Sequence, residues 1–354
     1  MLVRVCLLLL WLSCGLAAQE KTVRVVQWSD IHGGGPKFSL KIWDMAVHDS
    51  LAQKPDAIVI TGDNGDNHGP EASFHARLRS FLAVMTASLR GARCPIMICL
   101  GNNDVRMNYQ TDPALLAETA ATYRKSFGSL YYLDGLGNGV HPQKVGGYTW
   151  ISINSQIFSR KNHYRGVADQ ARHTLDWLKA RLRDAKGGPV VILMHIPPAH
   201  DLYDNQAAWR DADLRAFLEV LGGNRGSLRI LTGHFHRNEI HAVELPQGSV
   251  PLLVAGSLSL KHGYEPNWRV HTWKGDRIEY TLFYPGHLEW TRSYTVHPVA
   301  GWPLRLQDPI KYSIYLRDMV AYHDKALEPL TPAQVFHNVQ SQFWIRPDKL
   351  SPKP

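Results

Sequence analysis

Beyond its first eighteen residues the chain holds only two cysteines, Cys94 and Cys99. They lie five positions apart in the apolar run "CPIMICL". On one strand they point to opposite faces, with Cα atoms about 16 Å apart. That is too far for a disulfide, so both read as free thiols and a disulfide-stapled fold is excluded. No later apolar run approaches membrane length, which leaves no transmembrane segment once a leader is removed. Lys/Arg blocks and nucleic-acid-binding motifs are missing, so no nucleic-acid partner is implied. Repeats and low-complexity tracts are missing too. What remains is a globular composition, 44% hydrophobic.

The first twenty residues, "MLVRVCLLLLWLSCGLAAQE", have the layout of a secretory signal. Arg4 gives the positive start, Val5 to Leu12 the apolar centre, and Gly15 to Ala18 the small-residue cleavage region. Cleavage after Ala18 is expected, and with it export to the periplasm or outside the cell. Loss of Arg4 leaves 38 basic against 31 acidic residues, a mild and dispersed excess. It favours anionic ligands only weakly. The length of 354 residues suits one large domain with an appendage.

Six segments read as buried strands: 22–28, 57–62, 95–101, 148–154, 189–195 and 228–234. A β-rich block follows, with "PLLVAGS", "WRVHTWKG" and "DRIEYTLFY". Between the earlier strands lie amphipathic stretches. Asp112 and Pro113 stand as N-cap and first residue of a helix reaching about Phe127. "VADQARHTLDWLKARLRDA" has helical apolar spacing. Such alternation predicts a layered α/β fold with more than one sheet, over 22–298. Residues 297–309 read as a linker. Asp308-Pro309 and the capping box Thr331–Gln334 then predict a small helical C-terminal subdomain over 299–354.

Five predicted strands run straight into metal-capable side chains: Asp30-Ile31-His32, Gly62-Asp63-Asn64, Gly101-Asn102-Asn103-Asp104, His195 and Gly233-His234-Phe235-His236. In open α/β sheets, sites form at the carboxyl ends of strands. In extended backbone, Asp30 and His32 would face one side, as would His234 and His236. The glycines permit sharp turns. Four imidazoles, two carboxylates and an amide form a mixed N/O set suited to Zn²⁺, Fe or Mn²⁺ rather than calcium. Each motif alone is common by chance; five in order, each after an apolar strand, are not.

This order of motifs resembles the calcineurin-like metallophosphoesterase superfamily. The resemblance implies a four-layer α/β/β/α sandwich and two divalent metal ions, most readily zinc. It implies Asp30, His32 and His236 on one metal, Asn102, His195 and His234 on the other, and Asp63 as the bridge. The predicted activity is metal-assisted in-line hydrolysis of a phosphoester. Residues 149–164, the "HIPP" at 195–198 and 256–273 further resemble acid sphingomyelinase-like phosphodiesterases, as does the C-terminal tail. That points to a small-molecule or lipid phosphodiester as substrate.

At one position the chain departs from the superfamily pattern. Asn103 stands where a histidine is expected to assist the leaving group, and an amide cannot transfer a proton near neutral pH. Three readings follow. His68, in the neighbouring loop, supplies the proton. Or the leaving group needs no help, as in phosphoanhydrides, nucleotides or polyphosphate, which fits the likeness of GNND to endopolyphosphatases. Or the chain is a slow enzyme or a non-catalytic anion-binding protein. Asn103 would hydrogen-bond a phosphate oxygen, with Asp104 orienting it. Ser257 and Ser259 lack a base partner and read as structural. Tyr109, Tyr164, Tyr264 and Trp268 are candidates to line the pocket, equally readable as packing.

Overall fold

The computed structural model describes residues 22–127, 142–199, 207–261, 266–275, 277–283, 292–296, 314–315 and 320–322. The leader, the linker and Tyr264 lie outside them. Fourteen described strands form two seven-stranded sheets. The first runs, in spatial order, β14 (Val320–Tyr322), β12 (Arg292–Val296), β11 (Arg277–Phe283), β10 (Trp268–Lys274), β1 (Val23–Trp28), β2 (Ala57–Ile60) and β3 (Ile96–Ile98). The second runs β13 (Ile314–Tyr315), β8 (Glu239–Leu245), β9 (Gly248–Val254), β7 (Leu228–Thr232), β6 (Val190–Leu193), β5 (Tyr148–Ser152) and β4 (Gln143–Val145).

Strands β1, β2 and β3 are mutually parallel, as are β5, β6, β7 and β9. Both groups are covered on both faces, which is why they read as unbroken apolar runs. Alternation sorts their residues. Val23, Val25, Ala57 and Val59 meet Val191, Leu193, Leu231 and Leu253 between the sheets. Their neighbours Val26, Trp28, Ile58 and Ile60 point out to one helical layer, and Val190, Ile192, Ile230 and Leu252 to the other.

Three helices cover the first sheet: α1 (Leu40–Ala52), α2 (Phe74–Ser88) and α3 (Pro113–Phe127). Two cover the second: α4 (Val167–Asp184) and α5 (Asp211–Gly222). The start of α3 is the one expected: Asp112 Oδ1 accepts from Ala114 N at 2.8 Å, ahead of Pro113. Helix α4 buries Ala171, Leu175, Leu178 and Leu182, a stripe at three- and four-residue spacing. The result is the four-layer α/β/β/α order. No helix among the described residues is long and apolar enough to cross a membrane. Within 299–354 the described residues are the short strands β13 and β14, added at the sheet edges. The helix starts expected at Asp308 and Thr331 lie outside the described residues.

Cys94 and Cys99 are both free, Cys94 packed against the first helical layer and Cys99 between the sheets. Burial pushes the Cys99 thiol up to about 12. Burial, with the Asp56 charge nearby, takes Cys94 to about 11. Raised thiols stay protonated at pH 8 and are poor nucleophiles. Iodoacetamide should therefore modify Cys99 at least roughly a hundredfold more slowly in native than in urea-unfolded protein, read by peptide mass spectrometry.

Candidate metal centre

The chain leaves β1 at Trp28 and keeps bonding to its neighbour. Asp30 N donates to Gly62 O at 3.0 Å and His32 N to Asp63 O at 2.9 Å. The backbone is not extended there. Asp30 and His32 sit at φ 51° and 50°, Asp63 at 51°, and His234 and His236 at 78° and 61°. This corrects the extended D-x-H and H-x-H geometry expected from sequence: paired left-handed residues, not strand alternation, bring each pair together. Such a conformation costs roughly 1–2 kcal/mol per residue and persists only where surrounding structure enforces it.

Seven predicted residues converge here from loops after β1, β2, β3, β6 and β7. Asp30, His32, Asp63 and His236 each offer one ligand atom, all within 4.8 Å of one another. His236 Nε2 is 3.3 Å from Asp30 Oδ1 and 3.2 Å from His32 Nε2. Asp63 Oδ2 faces both His32 Nε2, at 3.7 Å, and His195 Nε2, at 3.3 Å. On that second side His195 Nε2 lies 3.2 Å from Asn102 Oδ1. The His234 ring stands 5.1 Å from that of His195. Asp63 thus lies between two groups of donors. All are buried but His234, which is partly exposed.

The arrangement fits a divalent cation. Asp30 Oδ2 accepts from Ser29 Oγ at 2.7 Å and from His234 N at 2.9 Å. Its Oδ1, buried and turned into the cluster, has no hydrogen-bond partner. A buried carboxylate oxygen left bare is costly unless a cation meets it. His195 Nδ1 lies 2.7 Å from Thr61 O, which holds its proton there and leaves Nε2 to a ligand. The loops approach too closely for side chains. A Cβ at Gly101 would fall 2.2 Å from Asp63 N and Oδ1, and one at Gly233 1.8 Å from Ser29 Oγ.

The electrostatics point the same way. Burial lowers the His195 imidazole, but the Asp63 and Asp30 carboxylates outweigh it and push it up to about 9. Burial would raise Asp63; the charge and hydrogen bond of His195, with His32 and the Asn103 amide, hold it well below the carboxylate range. Burial and the Asp63 charge raise Asp30. Burial and the positive His195 push His234 well down. A carboxylate pair drawing positive charge onto a neighbouring imidazole is the field in which a metal cation binds.

The remaining candidates differ in their placement. Asn103 donates to Asp63 twice, from its backbone N to Oδ1 at 2.7 Å and from Nδ2 to Oδ2 at 2.6 Å. Its amide therefore braces the Asp63 carboxylate. Asp104 does not orient Asn103. Its carboxylate takes four other donors: Gly65 N, Gly101 N, Asn64 Nδ2 and Tyr123 OH, at 2.7–3.0 Å. A carboxylate accepts about four hydrogen bonds, so the group is filled as a staple between two loops. His68 sits on Asp66, Nδ1 to Oδ1 2.8 Å, with its side chain 56% exposed.

Of the aromatics, Tyr109 stands edge-on to His234 at 6.0 Å. Trp268 is buried in the first helical layer and stacks on Phe283, so it is packing, not lining. Tyr164 O caps the start of α4. Ser257 Oγ donates to Asp30 O at 2.8 Å and pairs with Ser259 Oγ, the structural role expected. Sequence reasoning missed Asp66 and Lys261, which flank His32 at 3.5 and 3.3 Å. For Asp66 the signal was its place two residues before His68; nothing in the sequence marks Lys261.

A four-layer sandwich with a buried Asp/His centre at its strand ends defines a metal-dependent phosphoester hydrolase. The family model of calcineurin-like phosphoesterases matches residues 23–238, and the chain belongs to that family. A curated relative, a probable cyclic nucleotide phosphodiesterase of Rhodococcus erythropolis, is 26% identical over 204 residues. That alignment spans 58% of this chain and 58% of the relative's length. In fold, the chain is similar to a dimetal phosphatase of Danio rerio, at 15% identity and a TM-score of 0.52, over 78% of this chain and 99% of the other.

Removing the Ser29 hydroxyl frees Asp30 from one of its two donors. Ser29→Ala should weaken divalent-metal affinity roughly tenfold with the fold intact, read by chelator competition and circular dichroism. Gly101→Ala, which collides with Asp63, should lose more.

Proposed function

We propose that the chain is an exported binuclear phosphodiesterase of the acid sphingomyelinase-like kind, acting on a small-molecule, nucleotide or lipid phosphodiester. The observation that carries the binuclear reading is Asp63 Oδ2, which faces His32 and Asp30's group on one side and His195 with Asn102 on the other. A carboxylate so placed can be shared by two cations. Asp30, His32 and His236 would hold one; Asn102, His195 and His234 would hold the other. The donor set suits zinc, with iron or manganese as substitutes. The dimetal phosphatase fold and the phosphodiesterase relative lend support.

Bound there, divalent cations supply Lewis-acid stabilisation of the phosphoryl oxygens and a water acidic enough to attack near neutral pH. The chain's own residues fix the geometry. Ser29 and His234 N aim Asp30. Thr61 O sets the His195 tautomer. Asn103 holds Asp63 in place, and the buried strand ends exclude water behind the centre. With its Nδ2 tied to Asp63, Asn103 gives the leaving group no proton. His68, half-exposed and set on Asp66, is the side chain we assign to that task.

The engagement of Asn103 also favours a second reading. A phosphoanhydride leaves without a proton, so nucleotides and polyphosphate join phosphodiesters as substrates to be compared. The metal-loaded protein should bind two equivalents of metal and hydrolyse bis-p-nitrophenyl phosphate. Chelator, Asp63→Ala and His195→Ala should each abolish this by a factor of roughly a thousand or more. Asn103→His should gain most on poor leaving groups such as phosphocholine esters. Two equivalents of metal with no turnover across esters, nucleotides and polyphosphate would instead make the chain an anion-binding protein. Export predicts a mature chain beginning at Gln19, which N-terminal sequencing of secreted material checks.

A further inference from the structure

We propose that Lys261 is a substrate-positioning cation at the mouth of this centre, its ammonium group binding an anionic phosphoryl oxygen that no metal holds. The inference rests on the metal-centre reading above. Lys261 belongs to the segment after β9, whose backbone is fixed against the ligand loop. Leu258 N donates to Ser29 O at 3.1 Å, Ser259 N to Asp30 O at 3.2 Å, and Leu260 N to Lys37 O at 3.0 Å. The lysine is therefore delivered to the centre by the same loop that anchors Asp30. Its Nζ lies 3.3 Å from His32 Nδ1 and 3.5 Å from His68 Nδ1.

Counting donors decides what the ammonium can do. Once His32 gives Nε2 to a cation, its remaining proton sits on Nδ1. Asp66 Oδ2, 3.5 Å away, is the acceptor facing that proton. Asp66 Oδ1 is already taken by His68, through its backbone N at 2.7 Å and Nδ1 at 2.8 Å. A lysine ammonium is donor-only, with three protons and no lone pair. It cannot donate to an Nδ1–H, and what holds it beside the ring is the charge of Asp66, which His32 and His68 also face. Held there and off the His32 ring, its donor protons would be free for an anionic oxygen of a phosphoryl substrate entering the centre. A charge-assisted hydrogen bond of that kind is the strong sort. Asn103 cannot fill this role, since its amide is bound to Asp63.

The opposite flank offers a comparison. Lys161 Nζ rests 5.3 Å from the centroid of the Tyr109 ring, on the His234 side. That ammonium is settled over an aromatic face and, although its charge disfavours a protonated His234, it makes no close contact with a ring nitrogen there.

The test uses the metal-loaded full chain and three variants, Lys261→Met, Lys261→Arg and Lys161→Met. Metal content is measured first, then binding of inorganic phosphate by calorimetry, then KM and kcat with bis-p-nitrophenyl phosphate. Lys261→Met should keep its metal, bind phosphate roughly ten- to a hundredfold more weakly, and raise KM with little change in kcat. Lys261→Arg should restore most of the phosphate affinity, and Lys161→Met should change it less than threefold. Unchanged phosphate affinity in metal-replete Lys261→Met overturns the proposal. So does an equal loss in Lys161→Met, which would mean general surface charge, or loss of metal from Lys261→Met, which would mean support of His32. Wild-type protein that takes up no metal overturns the centre itself, and is seen before any variant is compared.

Discussion

Two buried carboxylates, Asp30 and Asp63, share a water-poor pocket with four imidazoles. Bringing like charges together in low dielectric is unfavourable by several kcal/mol per ion unless an opposite charge joins them. The chain answers in part with His195, drawn toward its protonated form, and leaves Asp30 Oδ1 facing His236 Nε2 at 3.3 Å without a hydrogen bond. The arrangement is under-satisfied as protein and complete only with a cation. Five of the candidate ligands also hold left-handed backbone, so the charge conflict and the backbone strain lie in the same few residues.

That strain is borne by the sandwich. Strands with apolar residues on both faces pin the loop ends from below, and the β1–β2 ladder continues past the strands into the ligand turns. Polar staples finish the work. Asp104 ties the 63–65 loop to the 101–104 loop through Gly65 N and Asn64 Nδ2, closes its own turn on Gly101 N and reaches α3 at Tyr123 OH. Ser257 ties the 256–261 segment to Asp30. Each staple acts on backbone, amide or hydroxyl groups. The candidate ligands are thereby held in place by residues outside the candidate set, as positioned metal sites require.

Much of this was legible beforehand. The layered α/β order followed from apolar runs alternating with helical stripes, and the α3 start from Asp112 and Pro113. The set of strand-end ligands followed from motif order. Other parts were not. Asp104 looks like a partner for its neighbour Asn103, yet its carboxylate turns to donors up to forty residues away in the chain. Trp268 is readable from sequence as pocket lining or as packing, and only its burial in the first helical layer decides for packing. The left-handed turns at Asp30, His32, His234 and His236 carry no local signal, because only the opposing loop makes them affordable.

The sequence by itself determined which chemical groups arrive and at which strand ends, because periodicity and turn residues are local properties of a chain. Only the tertiary structure decided which groups meet. His32 and His236 touch across a separation of 204 residues, and Lys261 reaches His32 across 229. Those encounters depend on the register of β1 on β2 and on how the two sheets stack. Both are set by packing the interior as a whole, and no short segment encodes them.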